Sequence, residues 1–182
     1  AEFHSIVKLV PELAERSIIV NGWSKAYAMT GWRLGWLAAP LPVAKAITSL
    51  QSHSTSNVTS FIQSAGAAAL LSDHKFLEEW KKTFDERRRL IVEGLNNIPG
   101  VKATMPEGAF YVFPDISGLF GKKIAGKEIK GSMDFADVAL EEGKVAVVPG
   151  IAFGEDRCIR MSYATDTTTI KTGLERLAKL FG

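Results

Sequence analysis

The 182 residues predict a mixed helix-and-strand architecture in two parts: a portion of an α/β domain, then a compact α+β domain, joined by one long helix. Three observations carry this expectation. Short apolar runs, the first of them rich in β-branched residues, alternate with helical patterns up to about residue 75. A single amphipathic period then runs from Phe76 to Ile98, and beyond Pro99-Gly100 the rhythm changes to short strands with two further helices. The boundary is placed within the long helix, giving parts 1–80 and 81–182. No internal repeat is apparent.

Ser17-Ile18-Ile19-Val20-Asn21 is an apolar run closed by Asn-Gly and suited to a buried strand. Leu34 to Ala39, ended by Pro40, is a second such run, so the residues between form a strand-loop-strand connection. Pro42 can open a helix reaching about residue 52, and Ser56 or Asn57 can cap another through Leu71, where Ala65, Ala67, Ala68 and Ala69 permit close packing. The long helix is read from Leu77, Trp80, Phe84, Ile91, Leu95 and Ile98, spaced by three, four, seven, four and three residues on one face. Its Arg87-Arg88-Arg89 run reads as a solvated face. Strands are then expected at about 101–104, 109–113, 145–148 and 158–163, with helices near 133–142 and 168–181.

Composition narrows the function classes. Lys and Arg number 22 against 20 acids, a net charge of +2 that indicates neither a nucleic-acid surface nor an acidic-tail partner. One cysteine, Cys158, excludes an intrachain disulfide and fits a reducing compartment, with cytoplasm as the default. The longest apolar runs are far too short to span a bilayer, and no basic region leads into an apolar one at the start. Ala1 to Ser5 looks like neither an initiation site nor a targeting segment, which raises the expectation of a chain cut from something longer.

Several chemistries drop out on spacing. Gly121-Lys122-Lys123-Ile124-Ala125-Gly126-Lys127 follows a phosphate-binding loop until Glu128 replaces the required hydroxyl, so a lysine-rich surface loop is the better reading. His4, His53 and His74 lack metal-ligand spacing, so no metal is expected, and no Gly-x-Ser-x-Gly elbow occurs. Lys25 survives, because lysine is the side chain that forms imines and its company is unusual. Ser24 adds a hydroxyl, Arg33 a cationic fork suited to phosphate, and Gly31 and Gly35 a backbone able to pack tightly around a bound group. Taken alone, Lys25 reads as an ordinary surface lysine, and only its company raises it above that reading. Arg160 is the second candidate. Strand alternation puts it with Cys158 and Ser162, away from Ile159, Met161 and Tyr163. A cation on such a face is either an edge arginine turned to water or a carboxylate ligand, and two parallel hydrogen bonds to a carboxylate explain it better.

The run Asn21-Gly22-Trp23-Ser24-Lys25-Ala26-Tyr27-Ala28-Met29-Thr30-Gly31-Trp32-Arg33-Leu34-Gly35 closely resembles the pyridoxal-phosphate lysine motif of class I/II aminotransferases of fold type I, in the branch with bacterial aspartate and prephenate aminotransferases. Many members carry a hydroxyl where this chain has Gly22. Ser54-Thr55-Ser56-Asn57 with Gln63 resembles the segment near the family's dimer interface, with Val58 where proline is frequent. Glu107-Gly108-Ala109-Phe110-Tyr111 is similar to a small-domain strand facing the active site. Cys158-Ile159-Arg160-Met161-Ser162-Tyr163-Ala164 is similar to the strand bearing the substrate-carboxylate arginine.

The resemblance implies pyridoxal 5′-phosphate as cofactor, with Lys25 as its Schiff-base lysine and proton shuttle and with Ser24 and Arg33 on its phosphate. It further implies Arg160 on the substrate carboxylate, Phe110 as a wall of the pocket, and the C-terminal part of the large cofactor domain before the small domain. By periodicity alone, Phe110 reads as a core aromatic. The implied activity is amino transfer between an amino acid, aspartate first, and a 2-oxo acid such as 2-oxoglutarate, in a cytoplasmic homodimer of amino-acid metabolism. A lyase or synthase of the same fold, or a noncatalytic domain descended from one, are the alternatives. The family's cofactor-nitrogen aspartate lies well upstream of its lysine, whereas the first aspartate here is Asp73, so the 182-residue chain by itself is expected to be inactive.

Overall fold

The computed structural model describes residues 3–182, so of the stretch from Ala1 to Ser5, Ala1 and Glu2 lie outside the described residues. The chain divides into two compact units between Glu78 and Glu79.

In the first unit, α1 (Ile6–Leu9) and a 3-10 turn at Pro11–Arg16 lead into a hairpin of β1 (Ile19–Gly22) and β2 (Gly35–Ala38). The pairing is antiparallel, with Ile19 opposite Ala38 and Gly22 opposite Gly35. Two glycines face each other at its mouth for a steric reason. A Cβ at Gly22 would stand 3.1 Å from the Leu34 carbonyl oxygen, and one at Gly35 would stand 3.3 Å from that of Asn21. Helix α2 (Leu41–Ser54) follows, with Pro42 in its first turn. Helix α3 (Ser60–Leu71) starts later than Ser56 or Asn57, because Ser56 is left-handed at φ 63° and Thr59 holds the cap position.

The close approach of α3 is made by Gly66 rather than by the neighbouring alanines. A Cβ there would drive into Leu34 and lie 3.3 Å from the Trp23 ring. Trp23 and Leu34 are the buried hydrophobic residues of this unit among those described. The expected burial of the first apolar run is not met: Val20 is 76% and Ile18 53% exposed. Within this sheet β1 has only β2 beside it, and burial needs a covering layer as well as an apolar sequence.

Helix α4 (Lys75–Asn96) carries the chain into the second unit, where Ile91, Val92 and Leu95 are buried. Asn96 closes its end by exchanging side-chain hydrogen bonds with the Ala103 backbone at 3.0 and 2.8 Å, and Gly100 turns the chain at φ 94°. The arginine run is only partly solvated. Arg88 is half-buried and donates to the Pro106 carbonyl at 2.7 Å and to Asp85, while Arg87 lies over the Phe84 ring.

Next come β3 (Tyr111–Val112), the hairpin β4 (Lys123–Ile124) and β5 (Lys127–Glu128), α5 (Ser132–Glu141), β6 (Val148–Pro149), β7 (Ile159–Ser162) and α6 (Thr167–Phe181). Strand β7 is central in an antiparallel sheet ordered β3-β7-β6. The strand expected at 101–104 reduces to a bridge between Lys102 and Asp115. The segment read as a lysine-rich loop is the β4–β5 hairpin, turned by Ala125 and Gly126 at φ 49° and 86° as a two-residue hairpin turn requires. Its Lys127 is engaged by Asp134 and Asp137 at 3.3 and 2.8 Å.

The core of this unit gathers Ile116, Leu119, Ile129, Ala139, Ile159 and Leu177, with Phe135 stacked on Phe181 at 4.2 Å. Helix α6 is capped by Asp166, which accepts from the Thr169 backbone N–H at 2.9 Å and hydroxyl at 2.6 Å. Ile170, Leu174, Leu177 and Phe181 form its buried stripe. No helix among the described residues is long and apolar enough to cross a membrane.

Leu177 is fully buried, so Leu177→Ala is expected to cost on the order of 3 kcal/mol through lost burial and a residual cavity. Urea unfolding followed by circular dichroism measures it, and a loss below about 1 kcal/mol would contradict the packing of α6.

Candidate functional site

Ser24, Lys25 and Arg33 share the loop between β1 and β2. The loop is closed by the Trp23 N–H on the Leu34 carbonyl at 3.3 Å, and its first half is coiled by Tyr27 and Met29 N–H groups that both donate to the Trp23 carbonyl. Thr30 Oγ1 donates to the Ser24 carbonyl at 2.8 Å, and Arg33 Nη1 donates to the Thr30 carbonyl at 2.9 Å. Ala28 and Arg33 are left-handed at φ 52° and 53°, each at a cost on the order of 1 kcal/mol that surrounding bonds must offset. The loop is also tied to the end of α3. The Tyr27 ring lies against His74 and Phe76, and Tyr27 Oη is 3.3 Å from His74 Nε2, itself 3.1 Å from the Ala69 carbonyl. Because that carbonyl only accepts, Nε2 carries the proton and donates.

Lys25 is exposed and Ser24 half-buried. Arg33 commits one N–H to its own loop, leaving in-plane donors for a ligand. It lines an open cleft of about 900 Å³ together with Trp32, Thr55, Ser56 and Asn57, which brings the Ser54-to-Asn57 segment to the same hollow as Arg33. Ser24 and Lys25 are outside that lining. A Cβ at Gly35 would crowd the Asn21 carbonyl of the facing strand, whereas one at Gly31 would meet nothing within 4 Å. The donor set fits an aldehyde that carries a phosphate: a primary amine, a hydroxyl and a guanidinium, on one loop stapled at its base.

The second unit holds Arg160 and Phe110. Arg160 sits on the central strand opposite Val148, with buried Ile159 and Tyr163 on the other side of the strand. Tyr163 is pinned from within by its hydroxyl, which donates to the Ala109 carbonyl at 3.1 Å. The Arg160 guanidinium carbon lies 4.5 Å from the Tyr111 ring centroid and 4.6 Å from that of Phe153. Such contacts contribute about 0.5–1 kcal/mol each at partly exposed sites. Among the described residues no acid pairs with Arg160. Phe110 is half-buried against the core, its ring 4.4 Å from Tyr111, so the neighbour of the expected aromatic is the residue that touches Arg160.

Tyr111 and Phe153 are the two residues that sequence reasoning did not single out. Tyr111 had a signal, since it pairs with Ser162 on the Arg160 face. Phe153 had none, because it ends a 3-10 turn (Gly150–Phe153) without strand or helix period. That turn is anchored by Ser132, fully buried, whose Oγ donates to Asp156 Oδ1 at 2.6 Å and accepts from the Ile151 N–H at 3.1 Å. Next to it Arg157 forks onto Glu155 at 2.9 and 2.7 Å, which holds the Glu155 carboxyl down to about 2. Burial pushes the Cys158 thiol upward.

The chain belongs to the aminotransferase class I and II family, whose sequence model matches residues 2–177. Members generally depend on pyridoxal phosphate. Among its relatives, an aspartate aminotransferase of Streptomyces avermitilis is 49% identical over 180 residues, covering 99% of this chain and 44% of that protein. An aspartate/prephenate aminotransferase of Cereibacter sphaeroides is 44% identical over 177 residues, covering 97% and 44%. The crystal structure of the aspartate aminotransferase from Rhizobium meliloti superposes with a TM-score of 0.94 at 45% identity, over 98% of this chain and 45% of that one. The chain thus spans less than half the length of the curated relatives it matches.

The Glu155 carboxyl titrates near 2 when folded, against about 4.3 when unperturbed, so its pairing with Arg157 stabilises fully above pH ~4.3 and is lost as pH falls through 2. In Arg157→Leu, carboxyl-detected NMR is expected to return the Glu155 midpoint toward ~4.3. A midpoint still near 2 would assign the depression to another group.

Proposed function

We propose that the whole protein carrying this chain is a pyridoxal-phosphate aminotransferase that moves an amino group between aspartate and a 2-oxo acid such as 2-oxoglutarate. The observation that carries the reading is the stapled β1–β2 loop, which carries Ser24, Lys25 and Arg33 on one short span. When bound, the cofactor supplies a conjugated electron sink for charge developing at the substrate Cα. Lys25 Nζ holds it covalently and, once released, is the base that takes the proton at the substrate Cα. Ser24 Oγ and the uncommitted N–H groups of Arg33 hold the phosphate. Arg160 receives the α-carboxylate through two parallel hydrogen bonds in its guanidinium plane, which orients Cα, and Phe110 contributes to the pocket wall.

Aspartate is put first because several relatives carry that name, and the aspartate/prephenate enzyme keeps a second substrate class behind it. A homodimer in the cytoplasm completes the reading.

Aspartate added alone is expected to convert the bound cofactor to pyridoxamine phosphate, read by absorbance and mass; ammonia release without that product would assign a lyase instead. Lys25→Ala is expected to lose covalent attachment and at least about 10³-fold in rate. For Arg160→Lys, attachment should persist while KM for aspartate rises roughly 10- to 100-fold, and an unchanged KM would remove Arg160 from the carboxylate site.

A further inference from the structure

We infer that Phe153 is a positioning residue for Arg160: with Tyr111 it fixes the guanidinium by ring contact, in place of the acid that usually holds a strand arginine. This rests on the reading of Arg160 as the carboxylate receptor. The geometry is specific. Both rings approach the guanidinium carbon within 4.6 Å, and no acid among the described residues pairs with it. An acidic partner would fix the arginine equally well, but would occupy the in-plane N–H groups and compete with an incoming carboxylate. A ring engages the face of the cation and leaves those donors for the ligand.

Tyr111 and Phe153 reach Arg160 from different elements. Tyr111 is on β3, paired directly to β7, so its place follows from sheet register. Phe153 has no ladder to hold it. Its turn is held by buried Ser132, which engages Asp156 and the Ile151 N–H, and by the Gly150 N–H, which donates to the Cys158 carbonyl at 2.8 Å. Gly150 is required there, since a Cβ would collide with the Cys158 and Glu155 carbonyl oxygens. Phe113 meets the Phe153 ring edge-on at 6.1 Å. A ring half-exposed to solvent yet anchored through a fully buried serine is built to stay in one place.

The test uses the whole protein, with KM and kcat measured separately for aspartate and 2-oxoglutarate. Phe153→Leu is expected to raise KM for both substrates by roughly tenfold with a smaller change in kcat and unchanged cofactor absorbance, and Phe153→Tyr to restore KM within about twofold. Should Phe153→Leu lower the melting temperature, Phe153→Met, of similar volume but without a ring, takes its place. In an Arg160→Lys background, Phe153→Leu should change KM by less than about twofold, because the two act as a unit. A wild-type KM in Phe153→Leu, or an equal rise in Phe153→Tyr, overturns the inference while Arg160→Lys still raises KM. An unchanged KM in Arg160→Lys overturns the reading beneath it.

Discussion

Trp23 and Leu34 bracket the loop that carries Ser24, Lys25 and Arg33, and both pack onto α3 where Gly66 has no side chain. The shape of that loop depends on the contact. The loop contains two left-handed residues, and Thr30 and Arg33 bond to its own backbone, so its shape rests on closure at its base and on the Tyr27 contacts at its far side. The facing glycines let the strands approach, the Trp23–Leu34 pair fills the space over α3, and Tyr27 ties the far side to His74 and Phe76. Each link keeps amine, hydroxyl and guanidinium on one short span, which the proposed function would use as a single anchor.

The second unit solves a different problem. In the proposed role Arg160 has to be held without being neutralised, and the sheet places it on the central strand with hydrophobic residues behind it and aromatic rings against it. Burial of Ile159 and Tyr163 fixes the strand's rotation, and with it the side on which Arg160 emerges. Packing of the core and the side on which the guanidinium stands are thus set by the same two-residue period.

Much of this was legible in the sequence where a period or a turn signal exists. Short apolar runs marked both strands of the first hairpin, the apolar spacing marked α4, and alternation marked the side of β7 on which Arg160 stands. What could not be read depends on partners rather than pattern. Val20 looks like a buried residue but is exposed, because its sheet has two strands. Gly66 is one small residue among alanines, and only the Trp23 and Leu34 side chains distinguish it. Arg88 looks solvated until the Pro106 carbonyl arrives from a later segment. Phe153 lies in an aperiodic turn, and the serine that anchors it is 21 residues away (153 − 132).

In the proposed function one lysine, on the stapled loop, holds the cofactor. Borohydride reduction of the whole protein with pyridoxal phosphate, followed by peptide mass mapping, tests it most directly. The account predicts a single phosphopyridoxyl modification on Lys25. Stoichiometric labelling of any other lysine, with Lys25 unmodified, would contradict it.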